Sequence, residues 1–220
     1  MLSLLFVIAG KIVALTAGLM FFRYLSLPYR LMMLQVFLGM MAEVTGRYIV
    51  VRYHAHNIWL FNYYWLIELW VVGLAGILLL RNIALRRAFV GLLLIPTVLW
   101  IYCIYKNGNG IHPSPALTAI GTALVVIFIT VLFHASFNMQ KLATQPVFWL
   151  CLSVIVFFSG NVPFYSLFNY IYDTDPELLK KLFNITLVLN HIRYPIVAFS
   201  FYLLGRQQMA TLNIRNHAGQ

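Results

Sequence analysis

The chain has 220 residues, of which 62% are hydrophobic and only 9% charged, and its formal charge is +10. Ordinary globular domains are about 45–50% apolar, so a soluble fold of this length could not hide the excess, and the bilayer is the expected solvent. The basic residues mostly punctuate the ends of apolar runs, which assigns them to topology and anionic lipid and excludes a nucleic-acid stripe.

Seven apolar runs reach the about 20 residues that a crossing takes. They lie near 2–22, 31–52, 57–80, 88–105, 116–137, 146–168 and 179–204. The first lacks a basic segment ahead of it and a cleavage site behind it, and reads as a retained helix. Pro28 precedes the second, and the turn-rich stretch KNGNGIHPSP separates the fourth from the fifth. Pro146 starts the sixth where its missing N–H costs little. In the sixth, SGNVP (159–163) predicts a local helix break. The acidic stretch DTDPE leads into the seventh, where a helix start favours negative charge. The expected fold class is therefore all-α, an integral membrane bundle of seven transmembrane helices forming one domain over 1–205. A short polar cytoplasmic tail is expected at 206–220.

Orientation follows from basic residues in the connections. Arg23, Arg30, Arg81, Arg86, Arg87, Lys141, Arg206 and Arg215 fall on one side. Arg52, Lys106, Lys180 and Lys181 fall on the other, with Arg47 near its edge. The first side has the excess and is expected to be cytoplasmic, placing the N-terminus outside.

Of the five acids, Asp173, Asp175 and Glu177 share one outer connection, while Glu43 and Glu68 lie inside spans. So do Lys11, His191 and Arg193, with Arg47 closer to an end. An ionisable group at mid-bilayer costs at least about 2.5–3.5 kcal/mol, and such groups face the bundle interior, pair or line water. At about 1.5 Å per residue, these residues and Asn161 fall in one slab about 10–20 Å below the outer face. In the third span Asn57, Phe61, Tyr64 and Glu68 form one helical stripe. Glu43 and Arg47 are one turn apart and can pair along the helix. Glu68 is expected to meet Lys11, Arg47 or Arg193; the alternative is a neutral, protonated carboxyl in an apolar niche. Pro195 removes a helix hydrogen bond beside His191.

Cys103 and Cys151 lack ligand spacing and read as small buried hydrophobes. His54 and His56 read as a solvated pair in an outer turn, and His134 as an interfacial residue. No metal or cofactor signal is present.

Seven helices with an external N-terminus look like a rhodopsin, but the seventh span, LVLNHIRYPIVAFSFYLL, has no lysine for a retinal Schiff base. The stretch AEVTGR followed by HASFN resembles part of the signature of CAAX-type intramembrane proteases. Glu43 and Arg47 match one glutamate and the arginine, and His134 with Asn138 match a histidine motif. That resemblance implies an intramembrane hydrolase. The phrase carried by Asn57, Trp59, Asn62, Tyr63 and Glu68 is similar to small polytopic inner-membrane proteins of bacteria, which implies a location and no activity.

Together these features predict a buried polar pocket opening to the outer side. Its ligand-binding set is Lys11, Glu43, Arg47, Asn57, Tyr64, Glu68, Asn161, His191 and Arg193. The expected role is a sensor-like binder of a small polar or anionic ligand, without catalytic residues. A proton-coupled transporter, the hydrolase and a structural subunit are the alternatives. The expected partners are the lipid bilayer, a small polar ligand, and a signalling protein or a second copy of the chain.

Overall fold

The computed structural model describes residues 2–110, 114–137 and 141–218; Asn138 of the histidine motif lies outside them. Among the described residues there is no strand. Seven α-helices follow in order: α1 (Leu2–Met20), α2 (Leu27–Tyr53), α3 (Ile58–Leu79), α4 (Ile83–Asn107), α5 (Ser114–Ser136), α6 (Pro146–Thr174) and α7 (Pro176–Ala218).

Local chemistry sets the ends. Proline occupies the first turn of α2 and of α6, where no N–H is needed. His54 ends α2 in the left-handed conformation, φ 50°, and together with His56 is solvent-exposed. Between α3 and α4, Asn82 Oδ1 accepts from the N–H groups of Ala84 and Leu85 at 2.8 and 3.3 Å. Arg86 closes the other side of that turn by donating to the Leu80 and Leu78 carbonyls. The acidic stretch does start a helix: Asp175 Oδ1 accepts from the N–H groups of Glu177 and Leu178.

One expectation about continuity is corrected. SGNVP does not break its helix, since α6 runs unbroken through Pro163. The Asn161 amide donates to the Phe157 carbonyl at 2.7 Å, one turn back within the helix. Helix α7 extends past residue 205 as far as Ala218, giving a helix of 43 residues. At 1.5 Å per residue that is about 64 Å, twice the hydrocarbon thickness.

Six helices are long and apolar enough to cross a membrane, while the apolar stretch of α1, Ile8–Met20, is shorter. The surface agrees with a lipid solvent. On α4, Leu94, Ile95, Val98 and Ile101 are all about half exposed or more, an outward apolar stripe that water would penalise. The chain is thus a multi-pass helical membrane protein.

Packing runs in a ring. α1 lies against α2 and α7, α2 against α3, α3 against α5, α5 against α6, and α6 against α7, which closes the circle. α4 sits outside, packed on α3 and α5. The half of the ring toward the α3–α4 connection is filled by residues with no exposure, among them Met32, Val72, Phe128, Val154, Val197 and Phe201. Small residues allow this closeness. A Cβ on Gly76 of α3 would stand 2.7 Å from Ile127 Cγ2 and 2.9 Å from Phe128 Cε2, both on α5.

Gly76→Ala should therefore cost about 1–3 kcal/mol through overpacking. Gly91→Ala, on α4 with nothing within 4 Å of its added Cβ, should be neutral or gain up to about 1 kcal/mol from helix propensity. Unfolding of the two variants in detergent, compared with the unaltered chain, checks the contrast.

Candidate functional site

Two ion pairs join four helices inside the ring. Lys11 of α1 contacts Glu43 of α2, Nζ to Oε1, at 2.7 Å. Arg193 of α7 contacts Glu68 of α3, Nη1 to Oε1, at 2.8 Å. Lys11 and Arg193 are the two largest side chains among the fully buried, at 2% and 1% exposure. Each is tied where helical periodicity turns its face inward, and a buried cation left without its carboxylate is strongly destabilising.

Neutral groups surround the pairs. Gln35 Nε2 of α2 donates to Glu68 Oε1 at 2.8 Å and to the Tyr64 hydroxyl at 3.0 Å. Gln35, Gly39 and Glu43 fall four residues apart and share one face of α2. Gly39 makes room there: a Cβ would meet the Tyr64 hydroxyl at 2.6 Å and Lys11 Nζ at 3.3 Å. The Tyr194 ring lies 5.0 Å from Lys11 Nζ, and the Arg193 guanidinium rests 4.3 Å from the centre of the Phe157 ring, both within cation–π range.

These groups border a cavity of about 380 Å³. It is lined by α1, α2, α3, α5, α6 and α7, the members of the ring, and by nothing from α4. Along α3 its wall runs from Asn57 to Glu68, about 16 Å. Its lining therefore occupies the half of the ring nearest the α2–α3 and α6–α7 connections. Most of that lining is apolar or aromatic, including Phe61, Trp65, Phe164, Phe168 and Phe183, with the four charges set among them. Arg193 Nε and Nη2, Glu43 Oε2 and Gln35 Oε1 are buried and meet no hydrogen-bond partner among the described residues.

The sequence-derived set divides. Lys11, Glu43, Asn57, Tyr64, Glu68 and Arg193 all line the cavity. Asn57 also donates to the Gly46 carbonyl at 3.3 Å. Asn161 stands behind the wall, accepting from the hydroxyl of the lining residue Thr186 at 2.6 Å. His191 turns to the Leu187 carbonyl, to which its Nδ1 donates, and is not part of the lining. Arg47 is exposed near the end of α2, and the Glu43–Arg47 pair that their spacing allows is replaced by Glu43–Lys11. A pair one turn apart on a helix contributes only about 0.2–0.5 kcal/mol, far less than neutralising a buried lysine. His134 lies in the last turns of α5, about 25 Å along the helix from the lining residue Leu117. The glutamate and histidine of the protease-like reading thus sit at opposite ends of the bundle. No cluster of His, Cys, Asp and Glu suited to a metal exists among the described residues.

Sequence reasoning missed Gln35, Gly39 and Tyr194. The signal for Gln35 was its position two turns before Glu43 on the same face. No protein-family model, curated protein or solved structure matches the chain. Fold and site therefore define it only as a polytopic helical membrane protein with two buried ion pairs around an internal cavity.

Removing one partner of a buried pair strands the other, so Arg193→Met should cost about 3–5 kcal/mol. Adding Glu68→Gln to Arg193→Met should recover part of that loss. A double-mutant cycle by unfolding in detergent checks it; additivity within about 0.5 kcal/mol would mean that the two groups do not interact.

Proposed function

We propose that the chain is a sensor-like binding protein with seven spans, its N-terminus outside, and that the cavity is a polar pocket reached from the outer side. The observation that carries this reading is the set of unpartnered buried donors and acceptors, on Arg193, Glu43 and Gln35, at a cavity of small-molecule size. Ligand sites fall at about 300–1,000 Å³ and combine an apolar lining with a few placed polar groups. A lone structural pair would leave neither the space nor the spare hydrogen-bonding capacity.

The outer placement is supported by charge. The connections nearest the cavity carry fewer basic residues than those at the opposite end. Binding, as opposed to passage, is supported by the buried, mainly apolar residues that fill the other half of the ring. Arg193, Glu43 and Lys11 would hold the ligand, with Glu68 and Gln35 fixing Arg193. Occupancy would be read through helix movement or by a partner protein.

A membrane-impermeant thiol reagent added from the outside should label Leu187→Cys, which lines the cavity, and spare Val72→Cys in the packed half. The native Cys103 and Cys151 are buried, so the unaltered chain gives the background. Labelling of Leu187→Cys from the cytoplasmic side alone would overturn the outward pocket.

A further inference from the structure

The charges that border the cavity balance. Lys11 and Arg193 are positive, and Glu43 and Glu68 are negative. A ligand carrying a net charge would bring an uncompensated ion into a low-dielectric site, which is costly. A ligand of zero net charge would not.

The spare hydrogen-bonding atoms are nevertheless of two opposite kinds. Arg193 spends Nη1 on Glu68 and keeps Nε and Nη2 without an acceptor. Those two nitrogens form one edge of the planar guanidinium, with parallel N–H donors that match the two oxygens of a carboxylate. The plane cannot turn freely, because it lies against Phe157 at 4.3 Å and Phe158 at 5.2 Å. Glu43 spends Oε1 on Lys11 and keeps Oε2, an anionic acceptor suited to an ammonium group. The rest of the wall is aromatic and aliphatic. A donor edge for a carboxylate, an acceptor for an ammonium, a neutral charge balance and an apolar wall specify one chemistry.

We infer that the cavity takes a zwitterionic amino acid with an apolar side chain. Its carboxylate pairs with the Nε–Nη2 edge of Arg193, its ammonium group with Glu43 Oε2, and its side chain lies among Phe61, Trp65, Phe164 and Phe168. This rests on the reading of the cavity as a ligand pocket and narrows the ligand from a small polar or anionic molecule to a net-neutral one.

The test is a panel on the unaltered protein in detergent, read by calorimetry and by the shift in unfolding temperature: L-phenylalanine, L-leucine, 3-phenylpropionate and 2-phenylethylamine. The two amino acids should bind, and the anion and the cation, each missing one charged group, should bind at least about tenfold more weakly. Binding of 3-phenylpropionate as tight as that of phenylalanine overturns the inference while leaving the pocket in place. No binding by any of the four also overturns it, and the thiol-labelling experiment then judges the pocket separately. Arg193→Lys keeps a positive charge opposite Glu68 but has no flat donor edge, so it should lose phenylalanine binding by about tenfold or more. Should that variant fail to fold, the panel on the unaltered chain still decides.

Discussion

The structure turns on the cost of holding a charge away from water inside a membrane. Arg193 and Lys11 are almost completely buried, and a lone cation there is far costlier than a paired one. Each therefore fixes the position of a carboxylate on another helix. Glu68–Arg193 links α3 to α7 across the ring, and Glu43–Lys11 links α2 to α1. Gln35, on the helix that carries Glu43, bonds both Tyr64 and Glu68 and so ties α2 to α3. Four helices are locked in rotation about their axes by these contacts, because turning any one of them would expose or strand a charge.

The same constraint separates the two halves of the bundle. Where the buried residues are mainly apolar, side chains interdigitate and glycines such as Gly76 let helices close up. Where the charges lie, the large rings of Phe61, Trp65, Phe164 and Phe168 surround them without filling the space, and the cavity results. α4 takes no part, because it packs on the outside of α3 and α5. Asn62 faces that side, donating to the Asn109 carbonyl and accepting from Trp100 through its own carbonyl. The third helix thus carries two polar faces, one toward α4 and one toward the cavity. They correspond to the stripe of Asn57, Tyr64 and Glu68 and to the residue lying beside it.

Much of this was legible because a charge inside an apolar run is conspicuous. Glu68 and Arg193 stand out in the sequence, and their common depth follows from counting residues. Gln35 did not stand out, since a neutral amide carries no such flag, although its helical phase with Glu43 was available. The partner of Glu43 was missed for a different reason. Local spacing offers Arg47, whereas the energetic demand comes from Lys11, which is buried and takes Glu43 as its partner. Arg47, near the helix end, is exposed instead. The expected break at SGNVP failed because one proline removes one helix hydrogen bond, and the packing of α6 against α5 and α7 holds the helix through it. The extent of α7 was hidden because hydropathy marks the crossing and not the helix, and a helix continues into water as long as nothing stops it.

The retention of ionic groups here needs a reason beyond adhesion between helices. Replacing a buried ion pair by well-packed apolar residues is often neutral or stabilising by about 1–4 kcal/mol, and helices in lipid associate adequately through small residues and close packing. The other half of this bundle does so. Two pairs that each use a single carboxylate oxygen, and that leave two guanidinium nitrogens and a second carboxylate oxygen unused beside a cavity, are poor glue. Under the binding function proposed above, they would hold charged donors and acceptors in fixed positions, already paired, ahead of a complementary ligand. Preorganisation of that kind lowers the cost of binding, because the reorganisation of buried polar groups has been completed during folding.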